Sequence, residues 1–135
     1  SMAGSSVWKG PIGGLIRMVC FHPDTPVTLA DGSTKKMKNL VIGEKLANNI
    51  DVLATMEIKG NSKSPYYKVW SKKLNDWIFV TADHLIQHPE TKRFIEVQHY
   101  EEAIPTQLYG EKHSCLVTST NTIPIGEFIF WDWED

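Results

Sequence analysis

The sequence predicts an all-β domain built from many short strands. Between residues 26 and 131, short apolar or alternating runs recur, and turn pairs such as Asp31-Gly32 and Gly43-Glu44 separate them. No stretch shows the 3.6-residue apolar period of an amphipathic helix of useful length. The chain has 135 residues, which is enough for one domain with a hydrophobic core and too few for two ordinary domains.

The predicted strands follow one another along the chain. Residues 26–30 and 33–37 flank Asp31-Gly32, a pair that favours a tight hairpin turn. Alternation or a short apolar run predicts further strands at 45–47, 52–58, 66–70, 77–80, 85–86, 94–97, 108–110 and 115–118, and in the last apolar segment, 123–131. Residues 101–104 are compatible with a single helical turn before Pro105.

Residues 1–19 differ in composition from the rest of the chain. They contain four of the nine glycines, which favours extended or irregular backbone. Ser1-Met2 resembles the remnant of an expression tag, and Arg17 interrupts the short apolar run before Cys20, which argues against a signal peptide. We therefore divide the sequence into a segment of 1–19, either an edge strand or a flank joined to a reactive centre, and a domain of 20–135.

Composition narrows the classes of partner. The formal net charge is −2 and the basic residues are scattered, with the densest group at 35–38. Such a chain lacks the basic patch with which proteins bind nucleic acids or anionic membranes, and we expect neither partner. It also lacks the run of about 20 apolar residues that spans a membrane. The two cysteines permit one disulfide or two free thiols, so the redox compartment stays open.

Three side chains suited to acyl chemistry occupy informative positions. Cys20 lies where the glycine-rich segment meets the β region, and Thr81 and His84 follow the apolar run 77–80. A thiol, a hydroxyl and an imidazole are sufficient to attack a peptide bond, stabilise its oxyanion and protonate its leaving nitrogen. The sequence therefore predicts a self-processing site, and the predicted scissile bond is Val19–Cys20.

The order and spacing of these residues resemble a known family. The first block is the run Cys20-Phe21-x-x-Asp24-Thr25-Pro26-Val27-x-Leu29-Ala30-Asp31-Gly32-Ser33-x-Lys35-x-Met37-x-x-Leu40-x-x-Gly43-Glu44-x-Leu46. It resembles the opening block of the Hint superfamily, which comprises inteins, hedgehog autoprocessing domains and bacterial intein-like domains. Thr81-Ala82-Asp83-His84-Leu85 resembles the second block. Cys115-Leu116-Val117 falls where the family places a strand with an Asp or Cys near the active site.

The resemblance covers residues 20 to about 131 and implies a compact, horseshoe-like Hint fold. It also implies an N–S acyl shift, in which Cys20 attacks the Val19 carbonyl to give a thioester and N-terminal cleavage. In this interpretation Thr81 stabilises the oxyanion and His84 protonates the Cys20 nitrogen. No cofactor or metal is expected.

Three further residues are possible supporting groups. A free cysteine has a pKa of about 8.5, so thiolate formation needs help, for which His22 and His84 are the nearest candidates in sequence. Asp83 is expected to orient a backbone amide or the histidine. Cys115 is either a core thiol or a second cysteine of the site.

The chain departs from the intein pattern at its end. Inteins end in His-Asn followed by Cys, Ser or Thr, whereas Asn121 here lies well inside the sequence. We therefore expect no full splicing with ligation. Residues 116–125 are closer to the end of a hedgehog-type domain, which uses only the N-terminal shift. The expected partners are flanking segments of the chain's own precursor, with a thiol, water or another nucleophile as acceptor.

Two other functions remain open at this stage. The first is a Hint-fold domain that has lost turnover and serves a structural or interaction role. The second is a metal-binding module, because zinc binds nitrogen and sulfur ligands. Three closely spaced pairs fit that chemistry, although none has a zinc-finger spacing: Cys20 and His22, His84 and His88, and His113 and Cys115.

Overall fold

A computed structural model describes residues 20–60 and 65–132 of the chain, and the statements below refer to these residues. The predictions for the segment 1–19, including Ser1-Met2 and Val19, and for the final residues 133–135 lie outside them. The division into a flanking segment of 1–19 and a domain of 20–135 therefore stays a prediction.

The described residues form short β-strands joined by turns, which confirms the predicted all-β class. In chain order the strands are β1 (Pro26–Thr28), β2 (Thr34–Lys36), β3 (Lys45–Leu46), β4 (Ile50–Lys59), β5 (Tyr66–Ser71), β6 (Asp76–Thr81), β7 (Leu85–Gln87), β8 (Phe94–Glu96), β9 (Ile104–Pro105), β10 (Lys112–Thr118), β11 (Thr122–Ile125) and β12 (Phe128–Trp131). The helical elements among these residues are single 3₁₀ turns at Met37–Asn39, Ala47–Asn49 and Val97–His99. No helix in the described part is long and apolar enough to cross a membrane.

The hairpin predicted at Asp31-Gly32 is present. β1 and β2 pair antiparallel, and Gly32 has the positive φ of 87° that the turn requires. The Asp31 carboxylate accepts hydrogen bonds from both the backbone nitrogen and the hydroxyl of Ser33. β1 ends earlier than predicted because Leu29 pairs with Leu46 of β3.

Residues 20–22, at the start of the described chain, lie between two groups of paired strands. β3, β4 and β10 pair side by side, as do β6, β5 and β9. Phe21 forms antiparallel bridges to Val80 of β6 and to Ser114 of β10, so residues 20–22 join the two groups of strands. Cys20 is therefore surrounded by paired backbone on both sides.

A second sheet has the order β11-β12-β7-β8. The sequence treated 123–131 as one segment, but it folds into a β11–β12 hairpin at Gly126, whose φ is 59°. Phe130 of β12 pairs with Ile86 of β7. This pairing brings the end of β12 towards the β6–β7 turn, where the second sequence block lies.

The apolar side chains divide between two clusters. Phe21, Val80, Ile86 and Phe130 belong to the large core. Cys20 and Cys115 form a separate small cluster, with Met56, Ile58 and Val117 packed against it. This division follows from the alternation of a strand, which sends the side chains of residues 20 and 21 to opposite faces of the sheet.

One local prediction was wrong, and one possibility left open by the sequence is not realised. Residues 108–110 are irregular rather than a strand: the Thr106 hydroxyl donates to the Tyr66 carbonyl and accepts from the Leu108 nitrogen, local side-chain bonds that compete with regular strand pairing. Residues 101–104 do not form a helical turn: a non-helical turn at 101–102 leads into β9.

Candidate active site

The backbone around Cys20 is fixed by hydrogen bonds from both neighbouring strands. The Phe21 nitrogen donates to the Ser114 carbonyl at 3.0 Å, and the Ser114 nitrogen donates to the Phe21 carbonyl at 2.9 Å. On the other side, the His22 nitrogen donates to the Phe79 carbonyl at 3.1 Å. These bonds hold the candidate nucleophile in a defined position at the edge of the described chain.

Thr81 contacts the main chain of Cys20 through both its hydroxyl and its backbone. The Cys20 nitrogen donates to Thr81 Oγ1 at 3.0 Å, and this hydroxyl donates to the Cys20 carbonyl at 3.2 Å. The Thr81 nitrogen donates to the same carbonyl at 3.1 Å. The hydroxyl therefore touches the nitrogen of the predicted scissile bond, whereas the sequence interpretation assigned that nitrogen to His84 and the oxyanion to Thr81.

His84 lies beside the residue that follows Cys20. Its ring centroid is 4.3 Å from that of Phe21, and its backbone nitrogen donates to the Thr81 carbonyl at 3.2 Å, which closes the turn after β6. His84 Nε2 lies 2.5 Å from the Trp131 carbonyl oxygen. Because a carbonyl only accepts hydrogen bonds, Nε2 carries a proton, and Nδ1 is the nitrogen whose protonation can change.

The carbonyl that contacts His84 is positioned by the residue after it. The Asp132 nitrogen donates to the Asn121 carbonyl at 2.9 Å, and the buried Asp132 carboxylate accepts from the Thr118 nitrogen at 2.9 Å. These bonds anchor the end of β12, including Trp131, against the β10–β11 turn. The sequence interpretation did not find this role, because nothing local pairs Asp132 with Thr118.

Asp83 and His22, the two polar supporting candidates, lie near His84 and Cys20 respectively. Asp83 is half-buried in the turn between β6 and β7, next to His84. His22 shares the sheet face of Cys20, because side chains two apart on an extended strand point the same way. Its Nδ1 accepts from the Asp24 nitrogen at 3.0 Å, so a neutral His22 carries its proton on Nε2.

Cys115 is joined to Cys20 by a disulfide bond, with Cα atoms 5.1 Å apart. The sequence had left one disulfide and two thiols equally open. Both sulfurs are enclosed, since Cys20 is 0% and Cys115 is 2% exposed. In this oxidised state Cys20 has no thiol, so the predicted nucleophile exists only after reduction.

A buried tyrosine–histidine pair lies on the same sheet face. Tyr66 Oη is 2.6 Å from His113 Nδ1. Burial lowers the pKa of His113, and the charge of His22 lowers it further; burial also raises the pKa of Tyr66. A neutral phenol can therefore donate to Nδ1 of a neutral histidine, while the buried His113 Nε2 has no hydrogen-bond partner among the described residues. The sequence interpretation missed this pair, because Tyr66 and His113 lie on different strands.

Two glycines, Gly60 and Gly110, lie against the Tyr66–His113 pair, and they are the sequence feature from which the pair could have been inferred. A Cβ atom on Gly110 would come within 2.5 Å of Tyr66 Oη, and one on Gly60 would come within 2.5 Å of His113 Nε2. Both positions therefore need glycine for space rather than for backbone conformation. In the sequence, however, these two glycines indicate only loops.

An open cleft of about 310 Å³ lies next to this pair. His22 belongs to its wall, so the cleft begins two residues after Cys20. Aromatic rings and two carboxylates make up much of the remaining wall, which comprises Asp24, Thr25, Pro26, Tyr66, Asp76, Trp77, Phe79, Leu108, Tyr109 and Gly110. The cleft is large enough to admit a small acceptor molecule.

The histidine and cysteine pairs considered for metal do not assemble into a cluster. Among residues 20–60 and 65–132, no three His, Cys, Asp or Glu side chains come together as a metal site. The Cys20 and Cys115 sulfurs bond to each other. His88 Nε2 instead lies 3.0 Å from the Glu101 carboxylate.

The fold is similar to those of solved inteins. The DnaB intein from Synechocystis sp. PCC 6803 superposes with a TM-score of 0.65 at 14% identity, over 85% of this chain and 99% of that one. The MchDnaB-1 intein (N145AA) gives 0.63 at 15% identity, over 85% and 99%, and the gp41-1 intein gives 0.60 at 12% identity, over 86% and 100%. No protein-family model and no curated protein matches the sequence.

The described residues therefore form an all-β domain with an intein-like fold. The chain has the fold of the inteins to which it is similar, which confirms the resemblance stated from the sequence. At 12–15% identity the likeness concerns the fold.

Proposed function

We propose that residues 20–135 form an intein-like autoprocessing domain that catalyses an N–S acyl shift at the Val19–Cys20 bond. The observation that carries the proposal is the contact between the Thr81 hydroxyl and the Cys20 nitrogen, 3.0 Å apart, in a chain with the intein fold. His84 packs on the ring of Phe21, the residue after Cys20, and is the imidazole proposed to carry the proton.

The proposed step is a rearrangement that needs no oxidant or cofactor. Cys20 Sγ attacks the Val19 carbonyl carbon, a C–S bond forms and the C–N bond breaks. The thiol proton ends on the released Cys20 nitrogen. Because amide resonance is lost, the thioester is less stable than the peptide bond, and an acceptor must consume it.

The side chains divide the work according to their contacts. In the starting amide, the Cys20 N–H donates to Thr81 Oγ1. Once the C–N bond breaks, the nitrogen has a lone pair, and the same hydroxyl can donate to it. His84 then acts as the proton carrier through Nδ1, while its Nε2–H stays on the Trp131 carbonyl.

The supporting residues act on the thiol and on the histidine. His22, on the face of the sheet that carries Cys20, helps to form the thiolate in the reduced protein. Asp83, adjacent to His84 in the turn, orients the backbone or the imidazole. The domain processes the segment 1–19 of its own chain, and a thiol, water or another nucleophile resolves the thioester to give N-terminal cleavage.

The test separates reduction from acyl transfer. A phosphine reductant opens the disulfide without accepting acyl groups, and hydroxylamine then captures the thioester. Intact mass spectrometry is expected to show release of residues 1–19 from the wild-type chain and none from Cys20→Ala. A reduced wild-type chain that stays intact through prolonged hydroxylamine treatment would contradict the proposal.

One observation favours a second function. The Cys20–Cys115 disulfide leaves no thiol at the predicted nucleophile and links residue 20 covalently to β10. A domain that had lost turnover could retain this bond for stability alone. In that case reduction would lower the stability of the fold and release no segment, an outcome that the same mass measurement detects.

A further inference from the structure

A β-bulge in β10 lies next to the end of β12. The register of β10 against β4 shifts between Val117 and Thr118, and the Thr118 nitrogen donates to Asp132 Oδ2 at 2.9 Å. A bulge disrupts the ladder locally and turns polar groups of the strand in a new direction, often beside a functional site. The irregularity in β10 therefore provides a main-chain donor for the carboxylate of Asp132.

The Asp132 carboxylate is buried, and Asn121 contacts it as well. The residue is 1% exposed, and the Asn121 side-chain nitrogen lies 3.4 Å from Oδ2 and 3.5 Å from Oδ1. The Asp132 nitrogen donates to the Asn121 carbonyl at 2.9 Å. Because a carboxylate removed from water needs such donors, these bonds give Asp132 one defined position.

The position of Asp132 also fixes the carbonyl group that precedes it. The Trp131 carbonyl and the Asp132 N–H belong to one planar peptide unit, so an anchor on the nitrogen also orients the oxygen. That oxygen lies 2.5 Å from His84 Nε2. Strand pairing with β11 and β7 brings β12 to this place. The carboxylate then holds the last peptide unit of β12, at the point where the strand ends.

We propose that Asp132 is a positioning residue for His84. Through the Trp131–Asp132 peptide unit it holds the imidazole in the Nε2–H tautomer, so that Nδ1 is the nitrogen that takes up and gives back the proton. The hydrogen bond made by one ring nitrogen decides which tautomer a histidine adopts. The consequence for processing rests on the acyl shift proposed above, whereas the tautomer does not depend on it.

The first experiment determines the tautomer in the oxidised chain, in which Cys20 is bonded to Cys115 and cannot react. Long-range ¹H–¹⁵N correlation spectra at about pH 7.5, where a histidine of ordinary pKa is neutral, distinguish a protonated ring nitrogen from an unprotonated one. His84→Gln identifies the His84 signals by their loss. We expect only the Nε2–H tautomer of His84 in wild type. The Nδ1–H tautomer, or a mixture of the two, would overturn the inference.

The second experiment removes the carboxylate. Asp132→Ala leaves the Thr118 N–H without this acceptor, and we expect both tautomers of His84 to appear. Asp132→Asn keeps an oxygen for Thr118 and should retain Nε2–H as the major form. If Asp132→Ala does not fold, Asp132→Ser replaces it with the same expectation, because its side chain is shorter than that of aspartate. An unchanged tautomer in the truncated variant, or the same mixture in Asp132→Asn, would overturn the positioning role.

Glu127→Ala is the matched control for losing a carboxylate that binds main-chain nitrogens. Glu127 lies at the opposite end of β12 and accepts from the nitrogens of Lys72 and Lys73 at 2.9 and 3.3 Å. This variant loses bonds of the same kind, and we expect it to keep the wild-type tautomer of His84. A mixed tautomer in Glu127→Ala would assign the effect to general loosening of the hairpin and overturn the role of Asp132.

The third experiment measures the consequence for processing in chains reduced with phosphine and treated with hydroxylamine. Asp132→Ala should release residues 1–19 about 10- to 100-fold more slowly than wild type, since part of its His84 is in the wrong tautomer for proton transfer. Asp132→Asn should lie between the two, and Glu127→Ala should match wild type. Release from Asp132→Ala at the wild-type rate would overturn the link between tautomer and processing. No release from wild type would defeat the proposed acyl shift, while the spectra still decide the position of His84.

Discussion

Thr81 Oγ1 lies 3.0 Å from the amide nitrogen and 3.2 Å from the carbonyl oxygen of Cys20, so one hydroxyl bridges both polar groups of the candidate nucleophile's main chain. The same residue accepts a backbone hydrogen bond from His84. Thr81 therefore links the main chain of the nucleophile to that of the histidine. Any processing at Cys20 must change the first of these contacts, because the nitrogen is released.

Removing the Thr81 hydroxyl is expected to slow processing. Thr81→Val keeps the shape of the side chain but leaves the Cys20 N–H without its acceptor, which costs about 1–3 kcal/mol. Because the hydroxyl is also proposed to donate to the released nitrogen, release of residues 1–19 from the reduced chain should slow by about 10- to 100-fold. Intact mass against time measures the rate.

Thr81→Ser is the matched control, since it retains the hydroxyl and loses only a methyl group. We expect it to release residues 1–19 at a rate much closer to that of wild type. Equal slowing in Thr81→Ser and Thr81→Val would mean that packing of the methyl group, rather than the hydroxyl, supports the reaction.

Replacing His84 is expected to remove proton transfer. A general acid or base contributes about 10²- to 10⁴-fold to a rate, and His84→Ala should slow the release of residues 1–19 by that factor. Because His84 is buried against Phe21, the alanine variant also loses packing. His84→Gln separates the two effects, since its amide can still donate to the Trp131 carbonyl but cannot carry a proton.

His88→Ala, at the other end of β7, is the control for removing a buried histidine; the partner of His88 is Glu101. We expect it to process normally. A His84→Gln chain with wild-type rate would refute the proton-carrier role, and urea unfolding of the same samples would show whether the fold is intact.

Local features of the sequence predicted the parts of the fold that local physics decides. The Asp31-Gly32 hairpin followed from the need for positive φ at Gly32. The block spacing placed Thr81 and His84 in one turn after a buried strand, and the structure has that turn next to Cys20. These contacts depend on short runs whose residues the sequence shows side by side.

The remaining contacts depend on strand register between distant segments. Cys115 meets Cys20 across 95 residues, and His113 meets Tyr66, because β10 pairs where it does. The Trp131 carbonyl lies against His84 because β12 pairs with both β11 and β7. Neither side-chain period nor turn chemistry reveals which residues of two separated strands lie opposite each other.

The buried His113 is expected to make stability depend on pH. Burial lowers its pKa in the folded chain below the ordinary value near 6.5. Below about pH 6.5 the unfolded chain then binds more protons than the folded one. The free energy of unfolding therefore decreases as the pH is lowered, by at most about 1.4 kcal/mol per pH unit. Urea unfolding between pH 7.5 and 5 measures the slope.

His113→Phe removes this titration and should flatten the slope in that window. His99→Asn, at an exposed position, controls for the loss of a histidine and should keep the wild-type slope. A slope in His113→Phe as steep as that of wild type would assign the pH dependence to other groups.

The disulfide is expected to contribute measurably to stability. It links residues 95 positions apart, and a bond that closes a long loop typically stabilises a fold by about 2–4 kcal/mol. Reduction of wild type should lower the free energy of unfolding by that amount in urea titration. Cys115→Ser should unfold at the same urea concentration with and without reductant, and equal midpoints for oxidised and reduced wild type would contradict the prediction.

Gly126 turns β11 into β12, and its replacement should cost more than that of Gly32. Both have positive φ, at 59° and 87°, so alanine is strained at either position. A Cβ on Gly126 would also collide with the Ser71 hydroxyl, which donates to Glu127 at 2.5 Å, whereas a Cβ on Gly32 meets nothing within 4 Å. The difference between Gly126→Ala and Gly32→Ala in free energy of unfolding thus isolates the collision, and we expect about 1–3 kcal/mol. Equal losses in the two variants would show that Ser71 moves aside without cost and that the β11–β12 turn is not fixed by its contact with the β5–β6 hairpin.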